Sequence, residues 1–304
     1  MERAQAENLP FVSVIVPVRD GGDTIAACLD AILATDYPAD RREIIVVDNG
    51  SSDGTAALIQ SRPVGYLHER QRGVSHARNS GIAASSGEIL AFVDADCLVE
   101  PQWLTELVRP FEDPEVGAVA GDLQHVTPAT AAERAAARLL GNWQRFAFTS
   151  NPAYPITANA AYRRDVIDRI GGFDPQMIRA QDVELGLRFQ ERSGRRLAYA
   201  ERATARHRNR TTHLGFLRQQ LGWAYGAGLV GAKFEAMGGD PVTPPPAREI
   251  ARTARGLGIV LLAAIRRRGR REWIENAWFD LLRQIAWWIG TRAGLRRGAK
   301  IWPT

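Results

Sequence analysis

The sequence predicts an α/β fold: a mostly parallel sheet with helices on both faces, followed by a helical C-terminal region. Three observations predict it. Phe11 to Val18 (FVSVIVPV), Glu43 to Val47 (EIIVV) and Glu88 to Val93 (EILAFV) are short apolar, β-branched runs, the pattern of strands buried on both faces. Turns and then apolar residues at helical spacing follow them, which is the βαβα order of a parallel sheet. The 304 residues, 45% of them apolar, suffice for one large domain or two small ones with a real core.

The elements follow in order. After the first strand, Thr24 to Leu33 carries a helical pattern. The second strand ends in Asp48-Asn49-Gly50, and Asp53-Gly-Thr starts a helix with a capping residue. Val64 to Leu67 reads as a short strand and Val74 to Ala84 as a helix that stops before the turn at Gly87. Glu88 to Val93 runs into Asp94-Ala95-Asp96, and Pro101 opens the next helix, a position proline tolerates. Val116 to Ala120 and Ile156 to Ala161 read as strands and Ala129 to Phe148 as one long helix. Arg164 to Ile170 is a short helix ended by Gly171-Gly172. Asp182 to Arg192 is a helix closed by Gly194, and Arg196 to Ala200 is a strand. Leu214 to Phe234 reads as helical despite Gly215, Gly222, Gly226 and Gly228. The segment 238–247 (GGDPVTPPPA) reads as a linker, which divides the chain into a domain at 1–237 and a basic amphipathic region at 248–304.

Composition narrows the function classes. The longest nearly uncharged apolar run, Leu257 to Ile265, has nine residues, against about twenty for a bilayer span. MERAQAENLP has no apolar core, so no secretory signal is expected. Cys28 and Cys97 make no disulfide framework and suggest a reducing, cytoplasmic location. From Pro241 onward there are 13 basic and four acidic residues, against 26 and 30 before it. That tail favours an anionic surface. Trp273, Ile274, Ala277, Trp278, Leu281, Leu282, Ile285, Trp288 and Ile289 make one apolar helical face in it, flanked by arginines. The pattern fits a helix packed on protein or one lying at the inner face of a membrane, as a peripheral contact. The acidic balance of the first 240 residues argues against nucleic acid as a partner.

Ligands of open parallel sheets bind at the carboxyl ends of the strands. Three predicted strands end in polar turns: Pro17-Val18-Arg19-Asp20, Asp48 through Asp53, and Asp94-Ala95-Asp96. Carboxylates gathered on one rim repel unless a cation or a donor-rich ligand is present. A divalent metal with a nucleotide diphosphate would satisfy them. In an extended segment Asp94 and Asp96 would point the same way, toward one ion. Asp48 and Asp53 also suit turn forming or capping. No Gly-x-Gly-x-x-Gly follows the first strand and no Walker A lysine occurs, so the usual dinucleotide and P-loop readings fail.

PFVSVIVPVRDGGDTIAACLDAILATDYP, EIIVVDNGSSDGT, RGVSHARNSGIAASSGEILAFVDADC and IGGFDP with AQDVELGLRFQERSGRRLAYA resemble the family 2 glycosyltransferases of GT-A fold, from residue 11 to about 207. The resemblance implies an inverting transferase that moves a sugar from a nucleotide donor, a UDP-sugar by default, to a glycan or lipid-linked acceptor. It implies that Pro17, Arg19 and Asp48, with Ser51 in the same turn, hold the base and ribose. It places Arg78 and Asn79 in the segment that closes over the nucleotide, Asp94 by the ribose or donor sugar, and Asn159, in Thr157-Ala158-Asn159, by the donor sugar and acceptor. Asp96 and His207 would hold Mg²⁺ or Mn²⁺, and Asp182 would be the catalytic base. One departure is Gln181, where the family commonly has an acid. Loss of that like charge would lower the Asp182 pKa, and positions two apart on a helix keep Asp182 and Glu184 from facing one site. A nucleotidyltransferase, a nucleic-acid-binding protein acting through the tail and an inactive sugar-nucleotide binder are the other readings. Oligomeric state is left open.

Overall fold

The structure is a computed structural model that describes residues 9–238 and 271–302, together with positions 248, 251, 254–256, 258 and 262. The chain divides into two compact units, Met1–Val126 with Asn142–Arg208, and Thr127–Gly141 with Asn209–Thr304.

The first unit is built on an eight-stranded sheet. Its strands are β1 (Val12–Val18), β2 (Arg42–Asp48), β3 (Gly65–His68), β4 (Ile89–Val93), β5 (Cys97–Val99), β6 (Val116–His125), β7 (Asn159–Arg163) and β8 (Arg196–His207). They lie in the order β3-β2-β1-β4-β7-β6-β8-β5. β1 runs parallel to β2 and β4, β2 to β3, and β6 to β8. β7 is antiparallel to β4 and β6, and β5 to β8. Its helices are α1 (Ile25–Leu33), α2 (Thr55–Gln60), α3 (Val74–Ala84), α4 (Trp103–Val108), α6 (Trp143–Thr149), α7 (Arg164–Ile170) and α8 (Gln181–Arg192).

Strand alternation explains the unbroken apolar runs. Val12, Val14, Val16 and Val18 join Ile89, Ala91 and Val93 in one core cluster. Ile15, Leu90 and Phe92 point the other way, into a second cluster with Tyr162, Phe173 and Phe189. Both faces are covered, and each such side chain contributes about 1.5–3 kcal/mol of burial. The chain leaves β1 for β2 and β3 on one side and returns to β4 on the other. This topological switch opens a crevice at the carboxyl ends of β1 and β4.

The structure corrects several element boundaries. The helix expected over Ala129 to Phe148 is two: α5 (Ala131–Leu140), opened by a Thr130/Glu133 capping box, and α6, where the Asn142 side chain accepts from the Arg145 N–H at 2.9 Å. Gly141 between them has φ 50°, which ends the first helix. Pro101 does not open α4, which starts at Trp103. Asp53 precedes the Gly54 N-cap of α2, and its Oδ1 accepts from the Thr55 N–H at 3.0 Å. β8 continues past Ala200, through exposed Glu201 and Arg202, to His207. β7 starts at Asn159, because Thr157 and Ala158 lie in a turn.

In the second unit, α9 (His213–Ala236) and α10 (Arg271–Ile301) pack together with α5. Phe216 and Phe279 meet edge to face at 5.0 Å beside Ala132, Ala135 and Ala136. Arg138 binds Asp280 at 2.9 Å. The apolar face expected of the tail is divided: Leu281 is buried, whereas Trp273 and Trp278 are exposed. Apart from Gly238, the linker expected at 238–247 lies outside the described residues, as do Arg266 to Arg270. No helix among the described residues is long and apolar enough to cross a membrane.

Candidate active site

The turns after β1 and β2 are laced together. The Asp20 N–H donates to Ser51 Oγ at 2.9 Å, and Asp20 Oδ1 accepts from the Ser52 N–H at 2.8 Å. The Gly22 N–H donates to Asp53 Oδ2 at 3.0 Å. Asp48, 2% exposed at the end of β2, accepts from the Ser51 N–H at 2.9 Å and from the Tyr66 hydroxyl at 3.2 Å. Pro17 is the penultimate residue of β1, and Arg19 stands half in solvent beside Asp20 at 3.6 Å. Pro17, Arg19, Asp48 and Ser51 therefore share one rim of the sheet. Asn49 is a residue the sequence reading missed: its amide donates to the Gln71 carbonyl at 2.7 Å and accepts from the Gly73 N–H at 2.8 Å. It ties the β2 turn to the start of α3. The signal was there in Asp48-Asn49-Gly50, since asparagine in a turn commonly bonds nearby backbone.

Asp94 and Asp96 follow β4 on the same rim, but not in an extended segment. The Cys97 N–H donates to the Asp94 carbonyl at 3.0 Å, so the pair spans a turn. The expectation that both carboxylates face one ion is corrected accordingly: they take different partners. Asp94 Oδ1 accepts from Arg78 Nη2 at 2.9 Å. Asp96 Oδ1 lies 3.4 Å from His207 Nε2, at the end of β8, which the β5–β8 pairing brings across. The Arg208 N–H donates to the Asp96 carbonyl at 2.9 Å and fixes the turn.

The His207 ring meets Trp143 edge to face at 5.3 Å, and its buried Nδ1 has no hydrogen-bond partner. An imidazole and a carboxylate this close fit a divalent cation. Among the described residues no group of three or more His, Cys, Asp or Glu could hold one. Two protein ligands suit Mg²⁺ or Mn²⁺, which keep water and substrate phosphate in their shells.

Asp182 is the second residue of α8. Ala180 before it is left-handed, with φ 56°, and turns the chain sharply into the helix. That conformation costs a non-glycine residue on the order of 1 kcal/mol, and such strain clusters at functional sites. Asp182 is not the helix N-cap, which is Ala180 with no side-chain bond. Burial raises its carboxyl above the ordinary range; the Arg78 charge pulls it down, and the Asp94 charge pushes it up. Gln181 adds no like charge beside Asp182, so the rise comes from desolvation. Glu184 turns away, binding Arg188 through two contacts of 2.7 and 2.5 Å in the core. Gln181 is buried, and its Nε2 has no partner.

The Arg78 and Asn79 side chains take partners within the protein, Arg78 on Asp94 and Asn79 on backbone. Asn79 Nδ2 donates to the Phe173 carbonyl at 2.8 Å and its Oδ1 accepts from the Phe173 N–H at 2.9 Å, so both ends of the amide are spent. Ser75 Oγ donates to the Met177 carbonyl at 3.0 Å. These bonds staple α3 to the segment leading into α8, and they set the Phe173 ring 5.3 Å from the Arg78 guanidinium.

Asn159 is also withdrawn from any ligand. It is wholly buried; Oδ1 accepts from Trp103 Nε1 at 2.7 Å, and Nδ2 donates to the Asp122 and Ala203 carbonyls at 2.7 Å each. The contact with donor sugar or acceptor expected of it is not available to this side chain.

The sequence pattern that defines glycosyl transferase family 2 matches residues 13–171. The glycosyltransferase AglE of Haloferax volcanii is 38% identical over 183 residues, 58% of this chain and 60% of that protein. The probable glycosyltransferase YdaM of Bacillus subtilis is 30% identical over 257 residues, 77% of this chain and 59% of that one. The chain thus spans 60% or less of the length of these relatives. Among solved structures, a mannosyltransferase from Pyrobaculum calidifontis in complex with GDP-Man and Mn²⁺ superposes with a TM-score of 0.64 at 22% identity. That match covers 93% of this chain and 88% of the other, and it identifies the fold as GT-A.

Proposed function

The chain belongs to glycosyl transferase family 2, and on that premise we propose that it is an inverting transferase. It would move a sugar from a nucleotide-diphosphate donor to a hydroxyl of a glycan or lipid-linked acceptor. The observation that carries this reading is the rim itself: Asp48, Asp94 held by Arg78 at 2.9 Å, and Asp96 against His207 at 3.4 Å gather at the carboxyl ends of the strands, with the Asp182 carboxyl, raised by burial, feeling the charges of Arg78 and Asp94.

In this reading Asp182 takes the proton of the acceptor hydroxyl as that oxygen bonds to the anomeric carbon. The bond from the anomeric carbon to the donor's phosphate oxygen breaks, and the nucleoside diphosphate leaves with the electron pair. One displacement inverts the configuration. Burial suits Asp182 to this, because a more basic carboxylate accepts a hydroxyl proton more readily. Arg78 keeps Asp94 in place beside it. Pro17, Arg19, Asp48 and Ser51 line the end that takes base and ribose. Asp96 and His207 would hold Mg²⁺ or Mn²⁺, which when bound neutralises charge on the leaving diphosphate. Uridine is the default base from the family resemblance; the GDP-Man complex of the archaeal structure brings guanosine into consideration.

The transferase module in this reading is the first unit, Met1–Val126 with Asn142–Arg208. The sequence limit at 237 would add α9, which packs with α10 instead. Peripheral contact with a membrane surface through 248–304 belongs to the same reading.

The test offers purified protein UDP-glucose, UDP-N-acetylglucosamine or GDP-mannose with hydroxyl acceptors, and with Mn²⁺, Mg²⁺ or chelator. Nucleoside diphosphate release that needs both metal and acceptor, with an inverted anomeric centre by NMR, supports the proposal. Retained configuration, or pyrophosphate released from a nucleoside triphosphate instead, defeats it.

A further inference from the structure

Helices α9 and α10 meet at backbone distance. Gly290, Gly294 and Gly298 recur at every fourth residue of α10. A Cβ on Gly290 would lie 2.7 Å from both the Leu221 carbonyl and the Ala224 side chain, and one on Gly294 would overlap the Tyr225 carbonyl. One on Gly298 would overlap the Ala232 side chain, and one on Gly228 of α9 would lie 2.7 Å from the Leu295 nitrogen. This seam settles which face of α10 is covered.

At 3.6 residues per turn, positions two removed from each glycine lie on the opposite face. They are Trp288, Arg292, Arg296 and Lys300, a row that winds gently around the helix over about 18 Å, with Ile289 and Arg297 beside it. The three arginines and Lys300 are exposed, and Ile289 is 48% exposed. The Arg292 guanidinium lies 4.3 Å from the centre of the Trp288 ring. After Asp280 the helix carries Arg283, Arg292, Arg296, Arg297 and Lys300 and no acidic residue. Toward its start, Trp273 and Trp278 are 56% and 42% exposed.

We propose that this outward row of α10 seats the protein on the surface of an anionic lipid bilayer. Charge complementarity selects an anionic occupant. The exposed Ile289 beside the arginines, with the exposed indoles of Trp273 and Trp278 nearer the start of the helix, selects lipid, because such side chains gain by entering the boundary of headgroup and acyl chain. A nucleic-acid backbone gives Ile289 nothing to enter. A second copy of the chain would bring like charges together. The inference deepens the proposed function, since a transferase held at a bilayer reaches lipid-linked acceptors, but its test requires no catalysis.

The experiment is co-sedimentation of the full chain with vesicles, without donor or metal. Neutral phosphatidylcholine vesicles are compared with vesicles containing about 30 mol% phosphatidylglycerol, at low salt and at about 1 M NaCl, where the Debye length falls to about 3 Å. The proposal expects binding to the anionic vesicles only, lost at high salt. Arg292→Glu/Arg296→Glu/Arg297→Glu should weaken it about a hundred-fold or more, since each surface arginine is worth roughly fivefold and its reversal to glutamate adds repulsion. Ile289→Ser should weaken it at unchanged charge. Both variants alter exposed positions, and a melting curve matching the parent establishes that they fold. Equal binding to neutral vesicles, no binding to either, or undiminished binding by the folded triple variant overturns the proposal. So does row-dependent binding of single-stranded RNA without vesicle binding, which would make the face a nucleic-acid surface.

Discussion

Arg78 Nη2 donates to Asp94 Oδ1 at 2.9 Å from a site only 4% exposed, and the same guanidinium is the nearest-acting positive charge on Asp182. One buried cation therefore balances two carboxylates that lie 88 residues apart in sequence. Phe173 covers its flat face, and Asn79 holds Phe173 in place. The arrangement lets Asp182 be desolvated, hence basic, without being isolated among like charges.

The first prediction is a pH dependence. As the proposed base, Asp182 would act only when ionised, and burial raises its pKa, so transfer should fall as pH drops through a midpoint above the ordinary carboxylate range. Arg78→Gln removes the lowering charge and should move that midpoint to higher pH; Asp94→Asn should move it lower. Asp182→Asn should cost about 10²–10⁴-fold in kcat while nucleotide binding persists. Profiles of kcat/KM against pH for the four proteins check this, and a midpoint that ignores Arg78 would count against it.

Asn159 is predicted to act on stability. Asn159→Ala leaves Trp103 Nε1 and two carbonyls in the core without partners, each costing about 1–3 kcal/mol. Asn159→Asp should be no better, because a carboxylate cannot donate to the Asp122 and Ala203 carbonyls. Urea unfolding should show both losses, and the folded fraction should keep the parental KM for donor. A large rise in KM at unchanged stability would restore a sugar contact.

Glu184 and Arg188 form a paired charge inside the core, 3% and 10% exposed. Glu184→Ala should destabilise by about 3–5 kcal/mol, because it strands the guanidinium. Glu184→Leu with Arg188→Met should recover most of that. A double-mutant cycle on the unfolding midpoint tests the coupling.

How far the sequence could be read depended on what each residue faces. β1, β2 and β4 were legible because burial on both faces leaves unbroken β-branched runs, and their ends marked the rim. β8 was truncated at Ala200 because Glu201 and Arg202 point to solvent and resemble a turn, although Ala203 and Ala205 return to the core. The break between α5 and α6 depends on one glycine with positive φ, in a stretch whose apolar spacing continues through it. The acidic residues were legible as a set, but their partners were not: Asp94 with Arg78 and Asp96 with His207 depend on a turn and on strands distant in sequence. Asn79 and Asn159 carry the family pattern, yet their amides bond to backbone and, for Asn159, also to the Trp103 indole, which no spacing reveals. Gly228 reads as a helix breaker until the backbone of Thr291, Gly294 and Leu295 on α10 supplies the reason for it.

The most direct test of the account is the thermal stability of the purified protein with UDP, GDP, dTDP, CDP or ATP, each with Mn²⁺, Mg²⁺ or chelator, beside Asp96→Ala and His207→Ala. A ligand at 100 times its dissociation constant adds about 2.7 kcal/mol to the native state, enough to move the melting point. The account predicts a rise with one nucleoside diphosphate that needs the cation and vanishes in Asp96→Ala and His207→Ala. A rise that survives both substitutions and the chelator, or no rise with any diphosphate at saturating cation, would contradict it.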